Sequence, residues 1–114
     1  MPHIVLESAE DILARYSGEE LIRQVHATVL ASQLFNERDI KIRVKSYNDY
    51  AVGGKHEAFI HLFTTIMPGR TVDQRAQLSK AVVVKLAEMF PDIQHITMSI
   101  DEFEKETFFN RRMI

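Results

Sequence analysis

From Ile40 onward the chain alternates without a break: Ile40, Ile42 and Val44 hold one parity, Lys41, Arg43 and Lys45 the other. Successive side chains of a strand point to opposite faces, so this segment is expected to be a strand with one apolar and one basic side. Fifty-six residues later (40 to 96) the pattern returns, with Ile96, Met98 and Ile100 set against Thr97, Ser99 and Asp101, and Tyr47 and Phe103 keep the same offset. Each strand follows a segment of helical period. In "EELIRQVHATVLASQLF" the apolar positions are Leu21, Ile22, Val25 and Val29; in "DQRAQLSKAVVVKLAEMF" they are Leu78, Val82 and Leu86. Both helices open on the S/T-x-x-E/Q form of a capping box, Ser17 to Glu20 and Thr71 to Gln74, with 54 residues separating Ser17 from Thr71. Ahead of the boxes lie two short apolar strand candidates, "HIVLE" and "AFIHLFTTI" (Ala58 to Ile66), with His3 and His61 in comparable places.

The predicted order is β-α-β, a loop through "YAVGGKHE", then β-α-β again. This is an α/β (α+β) fold of tandem duplicated units, four strands in one sheet with two helices on one face. Helical crossovers favour parallel pairing within each half. The chain is expected to be one domain of two halves, about 1–52 and 53–114. The second sheet face has no helix to cover it. Because "AFIHLFTTI" is apolar at nearly every position, that face is expected to bury itself against copies of the chain, making a homo-oligomer.

Composition narrows the chemistry. A length of 114 residues with 46% apolar content suits a single modest core. With 14 basic and 16 acidic residues the formal charge is -2, which gives no general surface for nucleic acid or an anionic membrane. The chain has no cysteine, hence no disulfide, thiolate site or cysteine nucleophile. Its five histidines lack metal-ligand spacing, so no metal site is expected, and His3 and His61 read as hydrogen-bonded strand residues. No stretch resembles a signal peptide or approaches the roughly 18 apolar residues of a membrane span, and the expectation is a cytoplasmic protein.

Pro2 carries the one unusual possibility. Removal of Met1, which a small second residue permits, would leave a secondary amine whose lone pair sits in a rigid ring. An α-amine ordinarily titrates at about 7.7–8.0, and a secondary amine is more basic, so a general base here needs surroundings that disfavour its proton. Burial and nearby cations both do so, and the same cations would bind a substrate's carboxylates. Arg70, in "MPGRT" just ahead of the Thr71 cap, is one such cation, placed where free helix N–H groups would help receive an anion. Lys41, Arg43 and Lys45 are others. The rings of Tyr47, Phe103, Phe108 and Phe109 are expected to serve core, subunit contact or pocket wall, and the two arginines of "FFNRRMI" are an unassigned anion site.

Pro2 heading "MPHIVLE", the stretch "FIHLFTTIMPGRTVDQR" and the doubled β-α-β pattern together resemble the tautomerase superfamily, and within it the 5-carboxymethyl-2-hydroxymuconate delta-isomerase family. The second half, from "IHLFTTIMPGRT" through "DIQHITMSI", is also similar to one subunit of 4-oxalocrotonate tautomerase. The resemblance implies a trimer and a proton shift on a small unsaturated dicarboxylate, with Pro2 as base and then acid and no cofactor. It implies substrate binding by Arg70, which matches the family's loop arginine, and by the strand cations. Lys41 stands where the family pattern has arginine, and lysine lacks the planar fork that grips a carboxylate at two points. Arg43 matches a further arginine of that strand. Two other readings keep the fold: a hydratase or dehalogenase in which Glu7, Asp49 or Asp101 activates water beside the same amine, and a non-catalytic oligomeric module.

Overall fold

In the computed structural model, which describes residues 1–114, the chain runs through β1 (His3–Ala9), a 3₁₀ turn (Glu10–Ala14) and α1 (Gly18–Ala31). A second 3₁₀ turn (Glu37–Asp39) leads into β2 (Lys41–Tyr47). The second half is β3 (Phe59–Ile66), α2 (Val72–Met89) and β4 (His95–Glu102), and the tail ends in a short 3₁₀ turn (Arg111–Met113). Nothing in the apolar spacing signals the turn after β1, because its single buried residue, Ile12, has no periodic neighbour.

The four strands form one sheet in the order β2-β1-β3-β4. Pairing is parallel within each half, β1 with β2 and β3 with β4, and antiparallel where β1 meets β3. The ladders align the halves residue by residue: His3 pairs with Lys41 and His61 with Thr97, so the offset of 56 between Lys41 and Thr97 makes His61 the counterpart of His3. The approximate two-fold relating the halves then passes through the pair Val5 and Phe63.

The helices pack on one face of the sheet. Ile4 and Leu6 of β1 and Ile60, Leu62 and Ile66 of β3 meet Leu21, Val25 and Val29 of α1 and Leu78, Val82 and Leu86 of α2 in a single buried core. At about 1.5–3 kcal/mol per buried aliphatic side chain, three such residues anchor each helix more strongly than a cap worth about 1 kcal/mol. The caps nonetheless differ. Thr71 and Gln74 form a complete box, each side chain accepting from the other's backbone N–H. At α1 only half of it exists: Ser17 accepts from the Glu20 N–H at 3.1 Å, while the Glu20 carboxylate turns along the helix to Arg23 and Gln24.

The uncovered face corrects one expectation. The run "AFIHLFTTI" divides between the two faces, Ile60, Leu62, Thr64 and Ile66 going to the core and Phe59, His61, Phe63 and Thr65 to the open side. The open face is therefore mixed rather than apolar: an apolar centre at Val5 and Phe63, a basic margin of Lys41, Arg43 and Lys45 on β2, and His95, Thr97, Ser99 and Asp101 on β4. Neither helix is long and apolar enough to cross a membrane.

Candidate active site

At the end of the sheet where β1 and β2 begin, the chain's amino terminus meets most of the predicted cations. Pro2 is buried, and its carbonyl accepts from the Lys41 N–H at 3.1 Å, the first rung of the parallel ladder. This bond fixes where the terminal residues lie relative to β2. The Met1 amine is held below its ordinary pKa, chiefly by burial, then by Arg70 and, more weakly, by Lys41; Asp39 acts in the opposite sense. In the full chain the Pro2 nitrogen is an amide, and loss of Met1 turns that nitrogen into the terminal amine.

Arg70 reaches this end from the turn before α2, which Gly69 makes possible with φ of 127°, a backbone conformation open to glycine. Its guanidinium donates to the Leu34 carbonyl at 2.7 Å and lies 4.7 Å from the centre of the Phe35 ring. Of the N–H groups at the start of α2, those of Thr71 and Gln74 are taken by the capping box, and Arg70 leans toward the end of α1. Lys41 donates from Nζ to the Asp39 carbonyl at 3.1 Å.

Arg43, two residues along β2, faces the open side of the sheet and approaches His3 Nδ1 at 3.3 Å. A guanidinium has no acceptor, so in this pair His3 accepts at Nδ1 and is the neutral imidazole with its proton on Nε2. Burial and then the Arg43, Lys41 and terminal charges lower the His3 pKa, in agreement with that state. His3 and Arg43 line a hollow of about 360 Å³ with Val5, Phe63, Thr65, Phe103 and Phe108. Phe103 is fixed there by its N–H bond to the Ile66 carbonyl at 2.8 Å, and its ring meets Phe108 at 4.9 Å and His3 at 6.0 Å. The result is an apolar, aromatic-walled recess with one guanidinium and one imidazole, whose His3 follows Pro2 in the chain.

Other predicted residues lie elsewhere. Tyr47 sits at the opposite end of the open face, where its hydroxyl donates to Glu7 at 3.0 Å, so the supposed cluster of four rings is divided; Phe109 is 69% exposed. Glu7 and Asp49 line a separate hollow with Tyr47, Tyr50 and Phe59, and Asp101 is an exposed residue on the outer strand opposite Thr65. Asp39 is the carboxylate that acts on the terminal amine, and it was not among the expected residues. In the second half, the counterparts of Lys41 and Arg43 are Thr97 and Ser99, whose hydroxyls engage the two ring nitrogens of His61 at 2.6 and 3.2 Å. The cationic site is thus built once per chain. No group of three or more His, Asp or Glu side chains converges on a point where a metal ion would sit.

Chemically, the arrangement combines an amino terminus whose Met1 amine holds its proton loosely with nearby cations and, on the open face, an apolar recess. Solved structures share the fold. A 5-carboxymethyl-2-hydroxymuconate isomerase from Deinococcus radiodurans R1 superposes with a TM-score of 0.83 at 22% identity, over 96% of this chain and 88% of that one. A member of the cis-3-chloroacrylic acid dehalogenase family gives 0.75 at 13% identity, over 96% and 80%. A fused 4-OT described as a wild-type symmetric trimer gives 0.78 at 14% identity, over 95% and 90%. Comparison with curated proteins gives no match. The family model described as 5-carboxymethyl-2-hydroxymuconate isomerase, however, matches residues 2–114. The chain therefore belongs to the 5-carboxymethyl-2-hydroxymuconate isomerase family, isomerases of the tautomerase superfamily, and its catalytic function is of the tautomerase type.

Proposed function

We propose that the protein, acting in the cytoplasm as a trimer and with Met1 removed, shifts a proton within an unsaturated hydroxy-diacid such as 5-carboxymethyl-2-hydroxymuconate, using Pro2 as base and then acid and no cofactor. The observation that carries this reading is the setting of the amino terminus: Pro2 is buried with its carbonyl held by the Lys41 N–H at 3.1 Å, and the Met1 amine one residue ahead of it is held below its ordinary pKa first by burial and then by Arg70. A conjugated dienol becomes its keto isomer when the hydroxyl proton leaves and a distant carbon gains one. A single amine performs both transfers if it is free at the start and regains that state at the end. Arg70 and Lys41 supply charge for the carboxylates at the amine, and Arg43 supplies it at the mouth of the aromatic recess. The half-exposed Phe63 at the centre of the open face supports assembly with further copies, which would close the recess from outside.

The test is ultraviolet-monitored turnover of a panel of 2-hydroxymuconate-type dienols, with protein whose mass shows loss of Met1 and with Pro2→Ala beside it. The expected result is turnover that falls by about 10²–10⁴ in Pro2→Ala, the usual worth of a positioned general base. Equal traces from both proteins would overturn the reading.

A further inference from the structure

We propose that Asp39 is a positioning residue of the amino-terminal site: as the carboxylate set among its cations, it holds Arg112 of the tail at the rim and steadies the protonated Pro2 that forms midway through the proton shift. This inference rests on the reading of Pro2 as the base.

Asp39 ends the 3₁₀ turn that feeds β2, and its backbone carbonyl holds the Lys41 ammonium. Its side chain is 17% exposed. Oδ1 is shielded from solvent and has no hydrogen-bond donor. The cation nearest to it is Arg112 at 3.7 Å, within ion-pair range yet too long for a hydrogen bond. A carboxylate oxygen removed from water without a donor is unfavourable in a resting fold, so its retention here asks for a role.

The charges around the amine define that role. Arg70 from the turn before α2 and Lys41 from β2 both disfavour the ammonium of Met1, the residue bonded to the Pro2 nitrogen. Arg43 faces His3, which is neutral, on the open side. Arg112, 63% exposed on the tail, faces Asp39. Asp39 alone favours a protonated amine at Met1, and the segment that carries it also holds Pro2, since the Lys41 N–H two residues further on donates to the Pro2 carbonyl at 3.1 Å. Proton transfer needs both forms: a site of cations only would free the amine but leave it too weak a base to take a proton from substrate. One carboxylate, partly neutralised by an exposed arginine, offsets the cations without cancelling them.

The experiment is an NMR titration of ¹⁵N-labelled Pro2 in the assembled, Met1-free protein, for wild type, Asp39→Asn, Asp39→Glu and Arg112→Ala, with the pH profile of kcat/KM recorded alongside. Removing the carboxylate removes an interaction that favours the ammonium, so Asp39→Asn should titrate lower, by about one pH unit or less. The acid limb of kcat/KM should move down with it. Asp39→Glu should restore the wild-type titration, and Arg112→Ala, which leaves Asp39 uncompensated, should move it upward. A Pro2 titration that is the same in wild type, Asp39→Asn and Arg112→Ala would overturn the proposal, whatever the rates do. If Asp39→Asn does not fold, Arg112→Ala decides alone by the same criterion. Undiminished turnover in Pro2→Ala would instead overturn the base reading, and the titration distinguishes the two failures because it does not depend on turnover.

Discussion

Lys41 is the residue at which this chain departs from the pattern its sequence resembles. Its ammonium is a point charge tied to the Asp39 carbonyl, whereas a guanidinium there would offer two parallel donors to one carboxylate. Lys41→Arg is therefore expected to lower KM for a dicarboxylate several-fold, corresponding to about 1 kcal/mol of added binding, with little change in kcat; steady-state kinetics on both proteins checks it. The same neighbourhood shows what a sequence can and cannot disclose at this scale. Pro2, Lys41 and Arg70 drew attention because each carries chemistry at a recognisable place in a motif. Asp39 did not, because within "NERDIKIRVK" it is one charge among many and reads as solvated. Only the fold brings together the turn before β2, the amino terminus and a tail arginine from the far end of the chain.

Among elements, the two caps test how much a reciprocal hydrogen bond adds. Thr71 satisfies two otherwise orphaned N–H groups together with Gln74, while Ser17 satisfies one. Thr71→Ala is expected to cost about 1–2 kcal/mol and Ser17→Ala about 0.5–1 kcal/mol, read from urea unfolding at one fixed protein concentration. Both helices and all four strands were legible in the sequence, since period 3.6 and period 2 leave different traces and the doubling repeated each trace. The capping box at α1 was legible only in part, because Glu20 had a choice of partners, Arg23 and Gln24, that the motif does not weigh. β3 misled for a physical reason. A central strand buried on its core side and carrying Phe59 and Phe63 on the other reads as a continuous apolar run, and so conceals His61 and Thr65 among them.

Across the whole molecule, the open sheet face sets how copies would meet. Phe63 is 50% exposed at the centre of that face, on the approximate two-fold between the halves, with basic residues to one side and hydroxyl and acidic residues to the other. If the proposed trimer uses this face, Phe63→Lys places a charge in the middle of the contact. Sedimentation should then shift toward the single chain while the far-ultraviolet circular dichroism of the fold persists; an unchanged sedimentation profile would assign the contact elsewhere. The asymmetry between halves reaches further. The second half enters its first strand from within the chain, so the counterpart of Pro2 is Ile60, whose nitrogen is an internal amide and not a terminus. One chain of two like units thus has a single amino terminus where two separate units would have two. The site nonetheless draws on both halves: the first supplies the amino terminus, Lys41 and Arg43, and the second supplies Arg70 and the recess wall of Phe63, Thr65, Phe103 and Phe108. Thr97 and Ser99 serve His61 within the sheet, where Lys41 and Arg43 at the matching positions present charge.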